Sequence, residues 1–184
     1  MFNVILEAKP NIPPWIRNNR IIRDFSSKDD LAGNIVPHMR QELHKELEKR
    51  GQRCHCIRCL EVRENTEDIE KARLVVRNIQ LETDQKYGTT HVHDSSSKDY
   101  FLSFESCKCV DCECCYSSHY SDTSYLNGCP KRDKLYGFLR LRITEQGDKI
   151  FPELHNSKIA FVRELHVYGK VTAVGDKDYE SAQH

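Results

Sequence analysis

Cys54-His55-Cys56-Ile57-Arg58-Cys59 places three thiols within six residues. A tetrahedral zinc site takes four nitrogen or sulfur ligands, and a tight loop can deliver three of them. Cysteine is also a small hydrophobe that is often simply buried. Here Arg53, His55 and Arg58 make the run too polar for a core strand, and cations beside thiols lower their pKa and favour the thiolate. The spacing therefore points to Cys54, Cys56 and Cys59 as metal ligands, with zinc ahead of an iron–sulfur cluster. The fourth ligand does not lie in this run.

Upstream of the loop, residues 35–50 read as a helix. Val36, Met39, Leu43 and Leu47 form one apolar stripe. Lys45, Lys49 and Arg50 fill the last turns and Gly51 stands where a C-terminal cap belongs. The helix thus delivers the chain directly into the cysteine loop. Before it, Pro10, Pro13 and Pro14 are expected to break any helix over residues 1–25. Arg17, Arg20 and Arg23 recur every third residue with no acid until Asp24. Guanidinium groups match phosphate geometry, so the triplet suits RNA phosphates, although a solvated edge is equally compatible with it.

Downstream the period changes. Residues 74–81, 100–104, 135–143 and 160–168 read as strands. In the clearest of them Leu135, Leu139, Leu141 and Ile143 are expected on one side, with Arg140 and Arg142 on the other. The fold class is α+β: a helix and a zinc-binding linker, then an incomplete antiparallel sheet with long hairpin loops.

A second cysteine cluster, Cys107, Cys109, Cys112, Cys114, Cys115 and Cys129 with His119 among them, lies between two strands. The connection it occupies, residues 106–133, is far longer than an ordinary hairpin loop of about 2–5 residues. Either this loop binds its own metal, or one of its thiols completes the site begun by Cys54, or it is a low-complexity insertion that takes metal opportunistically. His91 and His93 are a further source of the missing ligand.

The 184 residues allow one ordinary domain, or a small domain with an attached arm. Lys+Arg and Asp+Glu each number 28, so net charge argues for no partner. Residues 1–63 nevertheless carry 12 Lys/Arg against 8 Asp/Glu, a mildly basic front compatible with nucleic acid. No signal peptide is expected, because Glu7 and Lys9 interrupt the opening apolar run, and no segment approaches the ~18 apolar residues of a membrane helix. A cytoplasmic location follows as the expectation. There, nine cysteines, an odd number, suit metal better than disulfides.

Several ordered stretches resemble one family. Pro13-Pro14-Trp15-Ile16-Arg17, Arg20-Ile21-Ile22-Arg23-Asp24, the cysteine loop with Leu60-Glu61-Val62, Tyr100-Phe101-Leu102-Ser103-Phe104-Glu105, Leu135-Tyr136-Gly137-Phe138-Leu139-Arg140-Leu141-Arg142 and Arg163-Glu164-Leu165-His166-Val167-Tyr168-Gly169 are similar to the Elongator catalytic subunit. That family joins a radical S-adenosylmethionine domain to a GNAT-type acetyltransferase domain and modifies the wobble uridine of transfer RNA.

The resemblance implies that residues 1–34 end the radical domain as a basic arm, with Arg17, Arg20 and Arg23 on a surface that meets transfer RNA. Residues 35–73 would be the helix and zinc linker, with Cys54, Cys56 and Cys59 on the metal. Residues 74–184 would open the acetyltransferase domain, interrupted by the Cys-rich insertion at 106–133. Glu164, Leu165, His166 and Val167 would form the strand whose backbone receives the pantetheine arm of acetyl-CoA. Implied cofactors are zinc, acetyl-CoA, S-adenosylmethionine and a [4Fe-4S] cluster. Implied partners are transfer RNA and other Elongator-type subunits, or the remainder of the enzyme, without a membrane.

The family's cluster-binding cysteine triad lies upstream of Met1, and its glycine-rich CoA turn lies beyond Gln183-His184. The expectation is that this chain alone performs neither acetyl transfer nor radical chemistry. No residue is assigned as nucleophile or general base, and His166 reads as a packed or hydrogen-bonded histidine of a strand. The competing readings are a zinc-stabilised RNA-binding module and a truncated, non-catalytic homologue.

Overall fold

The computed structural model describes residues 1–19, 38–63, 69–79, 97–107, 132–145, 147, 151–154, 157–169 and 175. They fall into two units, Met1–Leu60 and Glu61–His184. The first begins with an element the prolines were expected to forbid, helix α1 (Phe2–Ala8). The reason is positional. Pro10 lies downstream of α1, in the first turn of a short 3₁₀ helix (Lys9–Asn11), where a missing N–H is harmless.

Helix α2 (Met39–Lys49) matches the expected amphipathic segment, with the expected residues 35–37 and Val36 lying outside the described residues. Met39, Leu43 and Leu47 are buried as the stripe requires. The helix ends as its sequence demands. Gly51 adopts φ 63°, Gly51 N–H donates to Glu48 O at 2.9 Å and Gln52 N–H to Leu47 O at 2.8 Å. This paired closure is the Schellman motif, which favours glycine at the left-handed position. It turns the chain back along α2, so the next residues meet the helix that delivered them. A last helical turn, α3 (Ile57–Leu60), carries Cys59. Leu6 of α1, Met39, Leu43 and Leu47 of α2, Cys54 and Cys56 make one core, with Phe2, Ile5, Ile12 and Cys59 packed against it.

The second unit is a four-stranded antiparallel sheet in the order β1-β2-β3-β4: β1 (Arg73–Asn78), β2 (Ser97–Cys107), β3 (Arg132–Thr144) and β4 (Ile159–Val167). All four expected strands are present, β2 and β3 longer than expected. The expected facing of β3 is corrected at one point. Gly137 pairs with Phe104 but Leu135 with Glu105, so Tyr136 is an extra, bulged residue. A bulge shifts the alternation by one. Leu135 therefore lies on the Glu105 face, whereas Leu139 pairs with Leu102 on the other.

The two faces differ in chemistry. Leu74, Phe104, Val162, Leu165 and Val167 are large exposed hydrophobics, and the register puts Leu74, Phe104, Leu139, Leu165 and Val167 on one side. The other side carries Arg77, Phe101, Ser103, Glu105, Phe138 and Arg140. There Phe101 and Phe138 pack with ring centroids 5.1 Å apart, and the Arg140 guanidinium covers both rings at 5.8 and 5.7 Å. At its buried end, Arg77 donates to Glu105 Oε1 at 2.8 Å, to Oε2 at 3.2 Å and to Ser103 Oγ at 3.0 Å. Arg77 and Glu105 are only 4% and 5% exposed, so each charge depends on the other.

Removing one partner of such a pair strands a buried charge. Arg77→Ala is expected to destabilise the sheet unit by about 3–5 kcal/mol, whereas exchange of the exposed pair Lys158–Glu145 should leave stability nearly unchanged. Chemical denaturation followed by the tyrosines of the sheet checks both.

Candidate metal centre and the edge strand

Residue placement in the first unit brings the three predicted thiols together. The Sγ atoms of Cys54, Cys56 and Cys59 lie within 4.8 Å of one another. Local backbone contacts fix the loop: Ile57 N–H donates to Ile16 O at 3.0 Å, Cys59 N–H to Cys56 O at 2.9 Å and Leu60 N–H to Cys56 O at 3.2 Å. Cys54 and Cys56 are 4% and 0% exposed. The cysteines are thus core residues as well as a cluster, in contrast to the polar surface run their neighbours suggest.

Two cations outside the cysteine run also meet a sulfur. Lys9 Nζ lies 3.9 Å and Arg40 Nη2 3.8 Å from Cys59 Sγ, with Arg40 also donating to Asn18 O at 3.3 Å. His44 Nε2 stands 3.4 Å from the same sulfur. Lys9, Arg40 and His44 were missed in the sequence. One signal for two of them was present, because Arg40 and His44 are spaced i, i+4 on the flank of the Met39-Leu43-Leu47 stripe. That flank faces whatever the C-terminal turn of the helix brings back.

Electrostatics divide the thiols. Hydrogen bonds from Cys54 and then Cys59 hold Cys56 far below the ordinary thiol range. Cys54 is pushed up, first by its hydrogen bond to Cys56, then by that to Cys59 and by burial. For Cys59 the bond from Cys54 pulls down, but the bond to Cys56, burial and the charge on Cys56 leave it raised. Burial, then the charges of Lys9 and Arg40, lower the pKa of His44 and keep its imidazole neutral.

The residues fit a single metal ion. Lys9 has no solvent exposure, and a fully buried ammonium demands an anionic neighbour. Three thiolates on a divalent ion supply a net negative centre at that place. A polynuclear iron–sulfur cluster interposes its own irons and sulfides between the thiolates, whereas separations within 4.8 Å suit one ion. Zinc bound here would act as a structural staple between the loop and the helices that pack on it. Among the described residues this is the one such cluster. His91, His93, His119 and the cysteines from Cys109 to Cys129 lie outside the described residues, as do Arg20 and Arg23. Arg17 is described, and its Nε donates to Asn19 Oδ1 at 3.1 Å.

In the second unit, Glu164, Leu165, His166 and Val167 lie together on β4, at the edge of the four described strands. Arg140 pairs with Glu164 and Leu141 with Val162, which makes Arg163 a bulged residue just before them. Bulges re-aim a strand and recur beside functional sites. Gly137 allows the neighbouring strand to come close, since a Cβ there would stand 2.9 Å from His166 O. Glu164 Oε2 forms an ion pair with Arg140 at 2.6 Å from Nε, and its Oε1 lies 3.1 Å from His166 Nε2. The His166 ring stacks on Tyr168 at 6.0 Å and meets Phe138 at 5.3 Å. His166 is thus an exposed histidine that stacks on Tyr168 and lies beside Glu164. No helix among the described residues is long and apolar enough to cross a membrane.

No protein-family model matches the chain, but curated relatives do. The tRNA uridine(34) acetyltransferase of Dehalococcoides mccartyi (strain CBDB1) is 30% identical over 184 residues, covering 100% of this chain and 32% of that protein. The tRNA uridine(34) acetyltransferase of Methanocaldococcus infernus is 30% identical over 172 residues, covering 90% and 25%. Elongator complex protein 3 of Schizosaccharomyces pombe is 28% identical over 174 residues, covering 94% and 26%. The chain therefore spans between a quarter and a third of these relatives. Among solved structures, the archaeal Methanocaldococcus infernus Elp3 with an N-terminal deletion matches with a TM-score of 0.52 at 24% identity, over 94% of this chain and 33% of that one. That likeness speaks to the fold.

Acid should loosen the first unit. His44 is held neutral in the native state below the ordinary histidine range, so on acidification the unfolded chain takes up its proton first and native stability falls. Thiol ligands must also lose their protons to bind metal, so zinc affinity falls in the same direction. Expected outcomes are a stability of the first unit that drops between about pH 7 and pH 5, and release of protons on zinc addition at neutral pH, read by weakly buffered titration.

Proposed function

We propose, from the premise that this chain belongs to the family of the tRNA uridine(34) acetyltransferases and Elongator complex protein 3, that it forms the metal-stapled linker and first acetyltransferase strands of an enzyme modifying the wobble uridine of transfer RNA. The observation that carries the reading is the similarity itself, which runs through the whole chain from Met1 to His184. The relatives are about three to four times as long, so the activity is proposed for the whole enzyme and not for these residues alone.

In this reading residues 1–34 end the radical domain, residues 35–73 are the helix and linker, and residues 74–184 open the acetyltransferase domain with its insertion at 106–133. Cys54, Cys56 and Cys59 hold zinc, which fixes the linker without taking part in chemistry. Arg17, Arg20 and Arg23 meet transfer RNA phosphates. The backbone of Glu164, Leu165, His166 and Val167 receives the pantetheine arm of acetyl-CoA. Support for that last assignment comes from the edge position of β4 and the bulge at Arg163. An outermost strand has one backbone edge without a strand neighbour, which is what an extended ligand arm pairs with. S-adenosylmethionine and a [4Fe-4S] cluster complete the reaction, and no residue of this chain is assigned to them. Further Elongator-type subunits and a cytoplasmic setting belong to the same reading.

Binding of fluorescent transfer RNA across a salt series tests the assignment. Affinity should fall linearly in log–log form, and Arg17→Ala, Arg20→Ala and Arg23→Ala should each reduce the slope by about 1. Acetyl-CoA should bind saturably by calorimetry. Unchanged salt slopes contradict the arginine assignment. Transfer RNA affinity without acetyl-CoA affinity selects the zinc-stabilised RNA-binding module in its place.

A further inference from the structure

We infer that His44 is the fourth ligand of the metal centre, so that residues 44–59 alone supply a complete Cys₃His set. The inference rests on the reading of Cys54, Cys56 and Cys59 as ligands. Three thiolates leave one position of a tetrahedron open. In the structure His44 Nε2 stands 3.4 Å from Cys59 Sγ. Metal–sulfur and metal–nitrogen bonds of about 2.3 and 2.0 Å at the tetrahedral angle give a ligand-to-ligand edge of roughly 3.5 Å. The observed separation is that edge. The imidazole stands beside Cys59, while the group of ligand atoms within 4.8 Å of one another comprises the three thiols alone, so closing the tetrahedron requires Nε2 to move towards Cys54 and Cys56.

The placement follows from local folding. Met39, Leu43 and Leu47 bury one stripe of α2, and His44 lies on the flank of that stripe, one turn after Arg40. The Schellman turn at Gly51 then sends the loop back past this flank. Helix and loop therefore bring the His44 nitrogen beside one sulfur of the three-thiol cluster. Two cations lie beside the centre. A divalent ion with three thiolates and a neutral imidazole carries one net negative charge, and Lys9 and Arg40 both approach Cys59 Sγ, at 3.9 and 3.8 Å. Hydrogen bonds from outside the ligand set tune and orient metal ligands in this way.

X-ray absorption at the zinc edge on the full chain tests the assignment, together with Co²⁺ titration in visible light. The expected wild-type result is one zinc bound by three sulfurs and one imidazole nitrogen. His44→Cys should convert this to four sulfurs. His44→Ala should lose the imidazole signature and weaken Co²⁺ binding by at least about tenfold, since even outer-sphere partners of ligands are worth about 10–100-fold. Added free imidazole should restore the nitrogen in His44→Ala. His55→Ala, which alters the histidine between two of the thiols, should keep the wild-type spectrum.

A wild-type site with four sulfurs overturns the inference and assigns the last ligand to a thiol of the second cysteine cluster. A nitrogen that survives His44→Ala but is lost in His55→Ala also overturns it. So does an unchanged spectrum in His44→Ala, which would leave His44 as a hydrogen-bonding neighbour of Cys59. A wild-type chain that binds no metal overturns both this inference and the reading of the three cysteines. His44→Cys keeps a ligand at the position, so the test stands if His44→Ala fails to fold.

Discussion

Lys9 has no solvent exposure, and its ammonium lies 3.9 Å from the sulfur of Cys59. Burying an ammonium without an anion costs several kcal/mol, and a negative cysteine cluster beside Lys9 offsets that cost. Arg40 approaches the same sulfur. The thiols therefore hold the first unit in two ways. As small apolar groups, Cys54 and Cys56 complete the core made by Leu6, Met39, Leu43 and Leu47. As a thiolate, Cys59 anchors two cations from separate segments. A metal ion reconciles these roles, because it draws three negative sulfurs together where charge repulsion would otherwise part them.

The sheet solves a different problem. Among the described strands β4 is outermost, and two local departures from regular pairing shape it. Tyr136 bulges from β3 and Arg163 from β4, while Gly137 permits a close approach to the His166 carbonyl. The buried Arg77–Glu105 pair and the Arg140 stack over Phe101 and Phe138 fix one face. The other face keeps Phe104, Leu165 and Val167 exposed. One sheet thus has a face closed by charge and aromatic packing, and a face whose apolar residues remain open.

Periodicity carried much of this into view from sequence. The α2 stripe, the Gly51 cap and the four strands are local signals, each set by neighbours in the chain, and they match the structure. Proximity of Cys54, Cys56 and Cys59 was legible for the same reason. Long-range pairing was not. The bulge at Tyr136 depends on how β2 and β3 align, so alternation placed Leu135 on the same side as Leu139 when it lies opposite. Lys9 is separated from Cys59 by fifty residues, and nothing local distinguishes it from a solvated lysine. Helix α1 was missed because Pro10 was read as acting on residues that precede it. His44 sat within the recognised helix, but only the returning loop shows what its flank faces.

Hydrogen exchange of the full chain, zinc-loaded and then stripped with a chelator, tests most directly whether the metal centre organises the first unit. Stripping should remove much of the protection of α2 and of the turn Ile57–Leu60 while leaving β2 and β3 unchanged, because metal binding energy is folding energy only where the ligands reside. Equal protection of α2 with and without zinc would contradict the account and leave the cysteines as ordinary core residues.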